Sequence, residues 1–238
     1  MISENLLQCI SGKGPLQADI ALDPISNIQL RPNVIFDIVE NKKVLHLGCT
    51  DHLPIIDYKI EKGTYLHRQL GYVTEKCMGI DINSHAAEHL KSHGIHNIII
   101  KDITKPGITE IMEDKWDYLL MGEILEHINN PVDFLKSIIK EYGNYIRSII
   151  ITVPNAFGLI HLSHVTNLGR ESVNSDHRYW FTPYTICKVA YEAGLEIDNM
   201  DMCLYENSAS ILHNHEKMLK EKPILLDTIV LTTHCKPS

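Results

Sequence analysis

Six cysteines are spread through 238 residues without one C-x-x-C pair. That absence removes the zinc-knuckle and thioredoxin-like readings. No run approaches the roughly 18 apolar residues of a membrane helix. There is no basic run either. Lys plus Arg number 22 against 30 Asp plus Glu, a formal charge of −8. Affinity for a phosphate backbone is largely electrostatic, so general nucleic-acid binding is not expected. The dinucleotide fingerprint G-x-G-x-x-G is missing, as are internal repeats and low-complexity tracts. No charged-then-apolar leader pattern opens the chain, and a cytoplasmic protein with reduced, mostly buried thiols is the expectation. Apolar residues make up 44% and charged residues 22%, which suits a globular core.

What is present is an alternation of strand-like and helix-like segments. Helical segments are expected in 1–40, including one over 34–39. Strands are expected at 43–48, 78–82, 97–101, 116–121, 148–153, 195–205 and 226–234. Helices are expected at 65–77, 84–93 (with Ser84 as N-cap), 131–141 and 183–193. The stretch 50–64, with Pro54 and Gly63, reads as an inserted loop, and 156–182 as a second insertion. His213 and His215 fall in what reads as a short polar linker, across which the last two strands pair antiparallel. The fold class is therefore α/β: a doubly wound, mostly parallel seven-stranded sheet with helices on both faces and the last strand antiparallel, in a single domain over 1–238.

In such sheets ligands bind beyond the carboxyl ends of the strands. That rule selects 48–51, 81–83, 102 and 122–127. Gly48 lets a ligand approach backbone directly, although an ordinary turn would also use it. Asp81 can accept both hydrogen bonds of a ribose diol, or cap the following helix. Asp102 beside Ile103 suits an adenine edge, the acid accepting from the amino group and the isoleucine packing on the ring.

With these residues in view, the chain resembles a class I S-adenosylmethionine-dependent methyltransferase from about residue 31 to 194. Val44-Leu45-His46-Leu47-Gly48-Cys49 is similar to the family's glycine motif. Gly79-Ile80-Asp81-Ile82 and Lys101-Asp102-Ile103 match its ribose and adenine positions. Gly122-Glu123-Ile124-Leu125-Glu126-His127, Val153-Pro154-Asn155 and Phe181-Thr182-Pro183 complete the match. The subgroup it looks like is that of the ubiquinone-pathway and sugar O-methyltransferases. The resemblance implies a Rossmann-like methyltransferase fold and S-adenosyl-L-methionine as methyl donor. It also implies cofactor contacts from Arg31, Gly48, Cys49, Asp81, Ile82, Asp102, Ile103 and Gly122. Two positions depart from the pattern: His46 stands where the family carries an acid, and Thr50 where it carries a second glycine. Asp51 is the acid that would take over from position 46.

Glu123, Glu126 and His127 are spaced i, i+3, i+4, which on a helix makes one face. Later comes Asp176-His177-Arg178-Tyr179-Trp180-Phe181. Carboxylates with imidazoles make a mixed site suited to Mg²⁺ or Mn²⁺. A similar arrangement is found in the small-RNA 3′-end 2′-O-methyltransferases, which implies Glu123, Glu126, His127 and His177 as ligands. Alternatively, His127 or His177, with Glu126, serves as the catalytic base. Tyr179, Trp180 and Phe181 either stack on a sugar or base or pack a lid. The stripe His85, His89, His93 could bind a metal opportunistically, but reads first as a solvent-facing helix surface. The leading expectation is an O-methyltransferase for a small hydroxylated acceptor, a sugar or nucleotide-linked sugar. The rivals are RNA 3′-end 2′-O-methylation and a non-catalytic binding module. No membrane or nucleic-acid partner is expected, and a homodimer is compatible with the sequence.

Overall fold

The structure, a computed structural model, describes residues 4–17 and 19–235. The first elements are α1 (Glu4–Ile10), α2 (Arg31–Val39), β1 (Lys43–Leu47), α3 (Leu53–Glu61), α4 (Leu66–Val73), β2 (Lys76–Asp81) and α5 (Ser84–Ser92). Then come β3 (Ile98–Ile100), α6 (Thr109–Met112), β4 (Trp116–Gly122), α7 (Pro131–Tyr142), β5 (Ile146–Pro154) and α8 (Leu159–Leu168). The chain ends with α9 (Pro183–Glu192), β6 (Leu195–Cys203), α10 (Leu212–Glu221) and β7 (Thr228–Cys235). The seven strands make one mixed sheet in the order β3-β2-β1-β4-β5-β7-β6. β1 is parallel to β2 and β4, and β2 to β3; β7 is antiparallel to β6, as expected. Val44, Leu45 and Leu47 of β1 and Leu119, Leu120 and Met121 of β4 are all buried. Such near-continuous apolar runs mark strands covered on both faces.

By packing, the chain divides into two compact units. One consists of Phe36–Gly122 and Ser137–Ile150; the other takes in the chain up to Ile35, Glu123–Lys136 and the chain from Ile151 onward. In the first, Ile56 of α3, Tyr65, and Ala86, Ala87 and Leu90 of α5 bury one cluster with Cys49 and Ile98. Lys43 and Lys76, at the starts of β1 and β2, both reach Asp114, at 3.0 and 2.9 Å. In the second, Leu219 of α10 packs with Leu204 and Leu226.

Four expectations are corrected. The 50–64 insertion is not a plain loop, because Pro54 sits in the first turn of α3, where its missing N–H costs no helical hydrogen bond. Residues 76 and 77 belong to β2 rather than to the preceding helix, since Lys76 and Cys77 pair with Lys43 and Val44. The N-cap of α5 is Asn83, whose Oδ1 accepts from the Ala86 amide at 3.0 Å, and Ser84 is the first helical residue. The polar linker before β7 contains α10, whose buried Leu219 gives it an apolar side.

Asn155 shows how β5 ends. It is fully buried. Its Nδ2 donates to the carbonyls of Ile224 (2.8 Å) and Leu226 (2.6 Å), and its Oδ1 accepts from the Phe157 amide at 3.1 Å. Asn155→Ala would orphan these groups together. A loss of about 2–4 kcal/mol in urea unfolding is expected; a change below about 0.5 kcal/mol would deny Asn155 this role.

Candidate active site

The parallel strands of the first unit bring their carboxyl ends to one edge. Gly48 adopts φ 66°, the left-handed region that favours glycine, and its amide donates to the Ile80 carbonyl at 2.9 Å. The Cys49 carbonyl accepts from the Tyr65 hydroxyl at 2.6 Å. Thr50 takes up a position at Asp81: its amide and hydroxyl both donate to Asp81 Oδ2, each at 2.9 Å. Asp81 Oδ1 accepts from the Asn83 amide at 2.9 Å. A carboxylate offers about four acceptor sites, so a diol would share or displace the rotatable Thr50 hydroxyl. Asp102 Oδ1 accepts from the Thr104 amide (2.9 Å) and hydroxyl (2.6 Å), and these bonds lower its pKa. Ile103 is buried and Ile82 exposed.

His46 and His67 occupy the interior of this unit, with their Nδ1 atoms 3.2 Å apart. Burial lowers His67 to about 4, so at neutral pH it is uncharged. A Cβ at Gly79 would lie 2.5 Å from Cys49 Sγ and 3.0 Å from the His67 ring, so glycine is the residue that fits there. Asp51 is engaged by Lys59 Nζ at 2.9 Å.

In the second unit, Glu123 directly follows the last residue of β4 and adopts φ 56°. That kink ends helical continuity, so Glu123, Glu126 and His127 do not share a helix face; only a 3₁₀ turn over Leu125–His127 forms. Thr152 holds the kinked residue. Its carbonyl accepts the Glu123 amide at 3.0 Å, and its hydroxyl donates to Glu123 Oε1 at 2.8 Å. Arg31 lies between two acids, 2.6 Å from Glu206 Oε1 and 3.5 Å from Glu123 Oε1, and over the Tyr205 ring. Burial opposes its charge, but Glu123 and Glu206 more than offset this and raise its pKa.

Glu126 is fully buried, and neither carboxylate oxygen has a hydrogen-bond partner among the described residues. Burial, reinforced by the charge of Glu123, pushes its carboxyl up to about 9. His127 Nε2 and His177 Nε2 stand 3.9 and 4.0 Å from Glu126 Oε1, too far for direct hydrogen bonds. The two rings meet edge to face, with centroids 4.7 Å apart. Burial, then the neighbouring His127, lowers the His177 pKa. Among the described residues these three side chains can converge on one cation, whereas Glu123 is turned to Thr152 and Arg31.

Arg178 makes this convergence possible. Its amide donates to the Glu126 carbonyl (2.7 Å), its Nη1 to the carbonyls of His127 (2.7 Å) and Asp176 (2.9 Å), and its Nε to Asn129 Oδ1. Tyr179 adds a hydroxyl bond to the Asn129 carbonyl at 2.6 Å. Trp180 packs against His161, centroids 4.6 Å apart, and Phe181 is buried. Reasoning from sequence missed Arg178, Thr152 and Glu206. Arg178 lies beside His177 in the segment 176–181 and Thr152 in the strand expected at 148–153, but nothing local marks either as a docking residue. Glu206 carries no local signal.

No protein-family model matches the chain. A curated relative, the tRNA U34 carboxymethyltransferase of Sulfurovum sp. (strain NBC37-1), is 28% identical over 134 residues, 54% of this chain. The chain matches 40% of that protein's length. Among solved structures, the small RNA methyltransferase HEN1 superposes with a TM-score of 0.55 at 13% identity, covering 95% of this chain and 28% of that one. An S-adenosylmethionine-dependent methyltransferase from Mesorhizobium loti gives 0.51 at 10% identity, over 85% and 95% of the two chains. The chain has the Rossmann-like fold of the class I S-adenosylmethionine-dependent methyltransferases.

The state of Glu126 is testable through stability. Its folded pKa of about 9 lies above the ordinary 4.5, so the native state holds a proton that the unfolded chain releases. This contribution is fully present below about 4.5 and is lost as pH rises through about 9. In protein freed of metal by EDTA, Glu126→Gln should flatten the fall of the thermal midpoint across that window. Identical slopes in the two proteins would contradict the raised pKa.

Proposed function

We propose that the chain is an S-adenosylmethionine-dependent O-methyltransferase acting on a small hydroxylated acceptor, a sugar or nucleotide-linked sugar. The observation that carries this reading is the convergence of Glu126, His127 and His177, in a chain whose fold places Gly48, Asp81 and Asp102 at strand ends. When bound, S-adenosylmethionine supplies a methyl group already activated on a sulfonium centre. The chain's own residues then bind, orient and deprotonate. Asp81 accepts from the ribose, Gly48 admits the cofactor against backbone, and Asp102 with Ile103 receives the adenine. A sugar hydroxyl is a weak nucleophile until its proton leaves. Burial, then the neighbouring His127, lowers the His177 pKa, which favours the neutral ring that can take that proton; His127 stands beside it. Trp180 and His161 offer ring faces to a pyranose.

The orphaned oxygens of Glu126, beside two imidazole nitrogens, also fit Mg²⁺ or Mn²⁺. Glu126, His127 and His177 would hold the ion, which would lower the pKa of a bound hydroxyl. This supports a second reading, 2′-O-methylation at an RNA 3′ end, as does the likeness to HEN1. The charge of −8 weighs toward the small acceptor.

His127→Ala should lower methyl transfer to a panel of nucleotide-linked sugars by about 10²–10⁴-fold, while S-adenosylhomocysteine still binds by calorimetry. Unchanged transfer would remove His127 from the chemistry. Asp81→Ala should weaken S-adenosylhomocysteine at least about tenfold. Transfer that survives EDTA disposes of the ion. Transfer to single-stranded RNA and not to sugars would install the second reading.

A further inference from the structure

The histidine stripe of α5 resolves into a smaller and more specific group. His89 and His93 lie one turn apart, and Asp57 of α3 reaches both. Asp57 Oδ1 is 2.7 Å from His89 Nε2 and 3.3 Å from His93 Nε2. One ligand atom from each residue falls within 4.8 Å of the other two, and His85 is outside the group.

The hydrogen bonds say more. His93 Nδ1 lies 3.1 Å from the His89 carbonyl oxygen. A carbonyl only accepts, so Nδ1 carries the proton there, and the Nε2 lone pair of a neutral His93 points at Asp57. Nε2 faces the carboxylate at 3.3 Å, a place that either a proton or a divalent ion can fill. Donation of the other ring N–H to a backbone carbonyl is also how metal-binding imidazoles are oriented.

We propose that Asp57, His89 and His93 form a binding site for a zinc-class divalent ion, separate from the Glu126 group. Bonds of 2.0–2.1 Å in a tetrahedron set ligand atoms about 3.3 Å apart. The Asp57–His93 pair already has that spacing, and the 2.7 Å pair needs only to open slightly. Two imidazoles among three ligands favour Zn²⁺ over Mg²⁺ or Ca²⁺. The side chains of Asp57, His89 and His93 are 61%, 33% and 32% exposed, which leaves the fourth position to water. The ion would tie α3 to α5. α3 also anchors Asp51 through Lys59, next to Thr50, which contacts Asp81. The site would thus stiffen the turn after β1. It stands whether or not the chain is a methyltransferase.

The test uses the full chain without a histidine tag, stripped with EDTA and titrated with ZnCl₂ by calorimetry. Carrying His127→Ala throughout disables the other cluster. Expected is one equivalent of Zn²⁺ bound, weakened at least about tenfold by His93→Ala or by Asp57→Asn. Co²⁺ should give visible absorption that both substitutions abolish. The proposal is overturned if the His127→Ala protein binds no Zn²⁺ with defined stoichiometry, or if both substitutions leave the affinity unchanged. Should His93→Ala fail to fold, the surface substitution Asp57→Asn decides alone.

Discussion

A guanidinium almost shut off from water governs one unit of this protein. Arg31 is 4% exposed, and a buried charge needs partners close at hand. Glu206 and Glu123 supply them. Burial raises the Glu123 carboxyl while Arg31 and the Thr152 hydroxyl pull it down, and Glu123 in turn adds to burial in raising the Glu126 carboxyl. The left-handed backbone of Glu123, stitched to Thr152, turns the chain so that the next residues form a tight 3₁₀ turn. Remove Arg31, and two acids would be left facing each other without compensation. The arrangement downstream of β4 would lose its fixed geometry, while burial would still hold the Glu126 carboxyl above its ordinary range.

In the other unit the corresponding hub is Asp81, with the opposite character. It sits at a strand end, and three donors from Thr50 and Asn83 surround it. Thr50, which departs from the glycine usual in the family it resembles, is the residue that joins the turn after β1 to the end of β2. A glycine would give up the side-chain half of that link. The departure therefore exchanges openness for a hydrogen bond that a diol can replace.

The sheet was legible because its strands are short apolar runs separated by helical spacing, and because strand ends in a parallel sheet are predictable ligand positions. Residues 48, 81 and 102 could be named on that rule alone. Where the reading failed, a local cue had two meanings. Pro54 breaks a helix at its centre but begins one at its first turn. Glu123, Glu126 and His127 have helical spacing, yet a positive φ at Glu123 cancels it, and only long-range contacts with Thr152 stabilise that φ. The partners of Arg31 and the docking bonds of Arg178 join positions far apart in sequence, 175 residues in the case of Arg31 and Glu206. No window of neighbouring residues contains that information.

The facing imidazoles of His46 and His67 also constrain how this protein can vary. With their Nδ1 atoms in contact, one ring must donate and the other accept, so the two tautomers are complementary. An acid at position 46 would accept only, which would fix the Nδ1–H tautomer on a neutral His67. Position 46 therefore sets which nitrogen of His67 carries the proton. A substitution at either ring thus changes what the other has to supply.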